Sequence, residues 1–165
     1  MLQKVVIAID FSSASAAALA IARHHCPGAT RRLLYVMKPS EVAEGSSAGA
    51  FSGAGSSPLS SKDMRQSAED RTLAKLQGWA KEDEDCAVMV GNPAEEISRH
   101  AEEWGAELIV MGTRGRSQIA NMLSGSATEW LVRHASLPVM VVHDVPLSDA
   151  MREKLPPGFD GQKKG

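Results

Sequence analysis

The segment Gly112-Thr113-Arg114-Gly115, followed by nine residues and then Gly125-Ser126, carries the residue types and spacing that bear most directly on chemistry. Small residues let backbone N–H groups approach an anion, and a helix N-terminus adds a favourable dipole. The apolar run at 108–111 suits a strand buried on both faces, and a helical pattern follows Ser126. A glycine loop between such elements can hold a phosphate. The competing reading is that the glycines only turn the chain. Ser126-Ala127-Thr128-Glu129 also reads as a capping box, in which Ser126 and Glu129 satisfy helix N–H groups. Both uses coexist if a phosphate takes the side of Ser126, Ala127 and Thr128 opposite Glu129. Arg114 and Arg116 are either clamps on a ligand or solvated loop charges. The Gly-x4-Gly-Lys-Ser/Thr phosphate loop is missing, and with it the lysine and magnesium hydroxyl of that hydrolytic design.

Other reactive residue types offer less. Asp10, at the end of the apolar run 5–9, can cap the next helix or accept hydrogen bonds from adenine or ribose. His24-His25-Cys26 cannot converge on one ion, because adjacent helical residues point about 100° apart; they suit a helix C-terminus. His100 stands four residues after Glu96 and reads as a surface pair. The acidic run 82–85 is most simply a solvated turn, with cation binding a minor alternative. No Ser-His-Asp or Cys-His grouping can be argued, so no catalytic residue is assigned.

Gly112-x2-Gly115-x9-Gly125-Ser126, with Leu137-Pro138-Val139 and an apolar strand after it, resembles the nucleotide-binding signature of the universal stress protein family. Asp10-Phe11-Ser12 resembles the same family, so the matches frame the chain from Gln3 to His143. The resemblance implies an adenine nucleotide, ATP in the subgroup with this motif, with Mg or Mn held by the phosphates. It implies that Asp10 and the backbone of Val36 hold the adenosine part, with Ala8 at another contact position. The backbone of Gly112, Thr113, Arg114, Gly115, Arg116 and Ser117, and of Gly125, Ser126, Ala127 and Thr128, would hold ribose and phosphates. It implies strand order 3-2-1-4-5 and a homodimer through residues 139–143. The reading is a regulatory or stress-response module with an unidentified protein partner. The rivals are a nucleotide-free interaction module and a slow ATPase, the latter disfavoured by the missing general base.

These residues need elements to position them. Apolar runs at 5–9, 32–37, 86–90, 108–111 and 139–142 read as strands, separated by helical patterns. Ser12 or Ser13 caps the first helix, and Ser60 or Ser61 begins the second, in which Leu73, Leu76 and Ala80 recur at helical spacing. Gly91-Asn92-Pro93 gives a turn, an N-cap and a proline at the first helical position, and Gly105 stops that helix. Strands joined by crossovers predict an α/β fold, a five-stranded parallel sheet with helices on both faces. The domain spans 1–145, with a flexible Ser/Gly/Ala-rich loop at 40–61, either a lid or a solvated insertion. A polar tail, 146–165, is expected to be loosely held.

A chain of 165 residues is long enough for a core without disulfides, and two cysteines are too few for a disulfide scaffold. A net charge of −2 gives no general drive toward nucleic acid or anionic membrane. No apolar run approaches a membrane span, and no secretory signal precedes the first strand, so a cytoplasmic location is expected by default.

Overall fold

A computed structural model describes residues 1–47, 60–113, 127–143 and 146–159. The elements run β1 (Lys4–Ala8), α1 (Ser13–His25), β2 (Thr30–Met37), α2 (Pro39–Ser47), α3 (Ser61–Gln77), β3 (Glu84–Val90), α4 (Pro93–Trp104), β4 (Leu108–Gly112), α5 (Ala127–His134), β5 (Val139–Val142) and α6 (Asp149–Arg152). The strands form one sheet in the order β3-β2-β1-β4-β5, the order that the resemblance implies, and all are parallel, as the crossover pattern predicts.

Side chains on successive strand residues alternate between faces, and the core divides accordingly. Val5, Ile7 and Ile9 join Leu33, Val110 and the alanine-rich α1 on one face. Val6, Leu34, Ile109 and Met111 join Ile97 and Ala101 of α4 and Leu131 of α5 on the other. Val5, Val6, Ile7, Ile109 and Val110 are wholly inaccessible, which is why these runs are apolar throughout rather than alternating. Each Leu or Ile sealed in this way contributes roughly 1.5–3 kcal/mol.

Local signals set the helix ends. The Ser12 hydroxyl accepts the Ser15 N–H at the start of α1, and Ser60 forms a capping box with Asp63 at the start of α3. Asn92 accepts from Ala94 and Glu95 with Pro93 at the first position of α4, and Gly105 ends it in the left-handed conformation. A side chain is disfavoured there, so glycine suits the stop.

Four expectations are corrected. The stretch 40–61 is not loop throughout, because Pro39–Ser47 is helical. Glu41 accepts the Lys38 N–H and the Tyr35 hydroxyl, which satisfies the start of α2 despite the serine and glycine that follow. Residues 48–59 lie outside the described residues. The acidic run 82–85 is not wholly a solvated turn: β3 starts at Glu84, whose side chain is fully buried between Arg23 and Arg31. Burial alone would raise the Glu84 carboxyl. The Arg23 guanidinium, the Lys81 N–H and Arg31 outweigh it and hold its pKa below the ordinary value.

His100 is not a surface partner of Glu96. It is buried with Nε2 3.4 Å from the Arg32 guanidinium, while Glu96 pairs with Arg99. Burial first, then Arg32 and Arg99, lower its pKa. The tail, finally, is packed rather than loose over residues 146–159. Leu155 and Phe159 lie on the α1 face of the core, Pro156 is sealed, and Arg23 donates to the Lys154 carbonyl at 2.7 Å. Three apolar side chains and one buried cation outweigh the polar average of the segment.

Candidate functional site

In an open parallel sheet a crevice opens beyond the carboxyl ends of two neighbouring strands whose following connections leave to opposite faces. Here those strands are β1 and β4. The chain after β1 enters α1 on the first face, and the chain after β4 leads to α5 on the second. Both helices run back against the strands, so both N-termini stand at this edge. β1 also ends earlier in register than β2 or β4. Ala8 pairs with Leu34 and Met111, whereas β2 continues to Met37 and β4 to Gly112. Its end is a notch between neighbours that run further, and Asp10 lies just beyond it.

Asp10 is exposed and structured. Its Oδ1 accepts the Ser12 N–H at 3.0 Å and the Ser12 hydroxyl. The Ser12 oxygen in turn accepts the Ser15 N–H at 3.1 Å, and Ser15 Oγ donates to the Ser12 carbonyl at 3.0 Å. The aspartate therefore belongs to the cap of α1, the first of its two expected uses. Between Asp10 and Ser12, Phe11 is the one non-glycine residue with positive φ (63°) among the described residues. Its ring stacks on Tyr35 at 5.2 Å and meets Trp79 edge-on at 5.3 Å, with Lys75 Nζ 4.1 Å from its centroid.

Gly112 has a packing reason that its place in a glycine loop does not disclose. A Cβ there would sit 2.5 Å from the backbone carbon and oxygen of Ala14. Only a residue without a side chain lets the first turn of α1 close on the end of β4. Thr113 is buried, and its N–H is donated to the Val142 carbonyl at 2.9 Å. That N–H extends the β4–β5 ladder, so it is committed to the sheet and not to a ligand.

Ala8 and Val36 both pack on the α4/α5 face. Val36 lies two residues past the last β1–β2 register pair, at the notch wall. Ala127 and Thr128 open α5, and Glu129 in that first turn pairs with Arg133 at 3.0 Å, which directs its carboxylate along the helix. The structure thus places Ala8, Asp10, Val36, Gly112 and Thr113 at or just beyond the carboxyl ends of β1, β2 and β4, and puts Ala127 and Thr128 at the start of α5. Arg114, Gly115, Arg116, Ser117, Gly125 and Ser126 lie outside the described residues.

Sequence reasoning missed Phe11, Tyr35, Lys75 and Glu41 beside this crevice. Tyr35 donates to Glu41 Oε1 at 3.0 Å. Burial, then that bond and the charges of Glu41 and Asp10, push its hydroxyl up to about 12, so it stays a donor at neutral pH. The only signal in the sequence is the placement of Phe11 directly after Asp10.

Among the described residues no helix is long and apolar enough to cross a membrane. The profile of the universal stress protein family matches residues 1–143. Universal stress protein MJ0577 of Methanocaldococcus jannaschii is 31% identical over 86 residues, which are 48% of this chain and 53% of that protein. The match thus spans about half the length of that relative. A solved structure of MJ0577 superposes over 89% of this chain and 99% of that one, with a TM-score of 0.67 and 24% identity. A universal stress protein in complex with cAMP covers 87% of this chain and 98% of its own, with a TM-score of 0.56 and 23% identity. An Arabidopsis thaliana universal stress protein family protein with AMP bound covers 90% and 97%, with a TM-score of 0.56 and 19% identity.

Proposed function

The chain belongs to the universal stress protein family, and from that premise we propose that it binds an adenine nucleotide in the β1/β4 crevice and serves as a regulatory, stress-response module. The observation that supports this reading is the end of β1, past which β2 and β4 run on, so that Asp10, Val36 and Gly112 lie at the same carboxyl edge of the sheet. Two proteins of the same fold carry cAMP and AMP, and both ligands share the adenosine and phosphate that such an opening suits.

In this reading Asp10 accepts a hydrogen bond from adenine or ribose, the backbone of Val36 borders the base, and Ala8 leaves room beneath it. The phosphates meet the loop that includes Arg114, Gly115, Arg116, Ser117, Gly125 and Ser126, and the first N–H groups of α5 at Ala127 and Thr128. ATP is the proposed physiological nucleotide. Among the described residues no group of three or more His, Cys, Asp or Glu stands together to hold a metal, so Mg or Mn would arrive with the phosphates. Hydrolysis, if any, is slow, since no described side chain has a clear claim to activate water.

The commitments of Asp10, Gly112 and Thr113 to capping, packing and the β-ladder favour one second reading, a nucleotide-free interaction module of the same fold. Denaturing the purified protein and identifying released nucleotide by mass separates the two. An adenine nucleotide near one per chain supports binding. Its absence, together with no uptake of added ATP or AMP, supports the second.

A further inference from the structure

Phe11 holds a backbone conformation that a bulky side chain seldom adopts, and such a residue persists only where its surroundings over-determine it. The surroundings here form a chain of rings. Phe11 stacks on Tyr35 and abuts Trp79, and Trp79 meets Phe159 edge-on at 5.1 Å. Phe159 belongs to the segment 146–159, beyond the part of the chain that the family profile matches. That segment is fastened at two further points, the sealed Pro156 and the Lys154 carbonyl on Arg23. At the other end of the chain of rings, Phe11 lies between Asp10 and Ser12, which hydrogen-bond across it.

We propose that the C-terminal segment regulates the ligand site: through Phe159 and Trp79 it holds Phe11 in its left-handed conformation, and Phe11 thereby positions the Asp10 carboxylate. Phe11 is then a positioning residue, and the affinity of the crevice depends on whether residues 146–159 are docked. The effect on affinity rests on the adenine-nucleotide reading above; the mechanical link from Phe159 to Asp10 does not.

The test uses the full chain and Phe159→Ala, with Phe159→Tyr as the conservative control. Hydrogen exchange of the ligand-free protein is read at the Ser12 amide, which is bonded to Asp10, and at the Ser15 amide, bonded to Ser12. The Ala106 amide, bonded to Ala101 at the far end of α4, is the reference. An edge-on aromatic contact corresponds to about a two- to tenfold change in an equilibrium. Phe159→Ala should therefore speed exchange at Ser12 and Ser15 by about that factor, leave Ala106 unchanged, and be reversed in Phe159→Tyr. AMP titrated by calorimetry should bind Phe159→Ala more weakly by a similar factor, and the difference should vanish in an Asp10→Ala background. Unchanged exchange at Ser12 and Ser15, or equal acceleration at Ala106, overturns the proposal. If the wild-type chain takes up no AMP, the nucleotide reading falls, and the exchange result still decides the link.

Discussion

Replacing Glu84 by glutamine removes one charge and leaves the shape of the side chain, which makes its cost calculable from the structure. The carboxylate is fully buried. It accepts Arg23 Nε at 2.8 Å, Arg23 Nη2 at 2.6 Å, Arg31 Nε at 2.9 Å and the Lys81 N–H at 2.9 Å. Glutamine offers one oxygen and turns an NH2 toward a guanidinium. Arg23 then keeps one bond to the amide oxygen and the carbonyls of Trp79 and Lys154 but no anionic partner, and Arg31 keeps the exposed Asp83 and the carbonyls near Cys26. Removing one member of a buried charge group costs about 3–5 kcal/mol. For a domain of this size that corresponds to a melting temperature lower by about 6–20 °C.

The pH dependence follows from the sign of the shift. The folded pKa of Glu84 lies below its unfolded value, so its stabilisation is complete above the ordinary carboxylate range and is lost as pH falls through the folded value. Urea unfolding at neutral pH and on the acid side of pH 4 should therefore show the variant's deficit shrinking in acid. A deficit below about 1 kcal/mol at neutral pH, or one that grows in acid, would refute the account of Glu84 as the clamp between α1, β2 and the C-terminal segment.

Three further outcomes are expected. Gly112→Ala should destabilise the fold by at least about 1–3 kcal/mol in urea unfolding, because its Cβ meets Ala14 backbone at 2.5 Å; a neutral result would show that α1 can move away. His100→Gln should flatten the decline in stability as pH falls below about 6.5: the depressed His100 pKa makes the folded state resist protonation, so wild-type stability is full above that pH and is lost below it. An unaltered profile would place the acid-labile group elsewhere. Val141→Pro should convert a proposed homodimer to monomer by sedimentation while the fold survives. The Pro138 and Val142 carbonyls accept from β4, so by alternation the backbone groups of Val141 face the sheet edge. A wild-type monomer at micromolar concentration would defeat the pairing.

The parallel sheet and most element types were legible because buried parallel strands must be apolar on both faces, and 5–9, 108–111 and 139–142 are; the strand order came from the family resemblance. Asn92-Pro93 and Gly105 marked α4 for equally local reasons. Glu84 was illegible because its partners, Arg23 and Arg31, lie 61 and 53 residues away; a run of four acids does not show which one turns inward. His100 had a signal that was overridden. It stands three residues after Ile97 and four before Trp104, on the buried stripe, but its spacing from Glu96 suggested a surface pair. Pro39 with Glu41 two residues on was a helix start obscured by the serines and glycines behind it. Of the candidate site, Asp10 and Gly112 were singled out by residue type and by the family resemblance. The left-handed Phe11 was not, because its ring partners Tyr35 and Trp79 are distant in sequence.

The central claim is that the β1/β4 crevice takes an adenine nucleotide through Asp10. Calorimetry of the wild type and Asp10→Ala with ATP and AMP, each with and without magnesium, tests it most directly. Saturable binding at one site per chain, weakened about tenfold by loss of one hydrogen bond to a charged group in a variant that still unfolds cooperatively, is the predicted result. No heat with either nucleotide, or binding indifferent to Asp10→Ala, would contradict it.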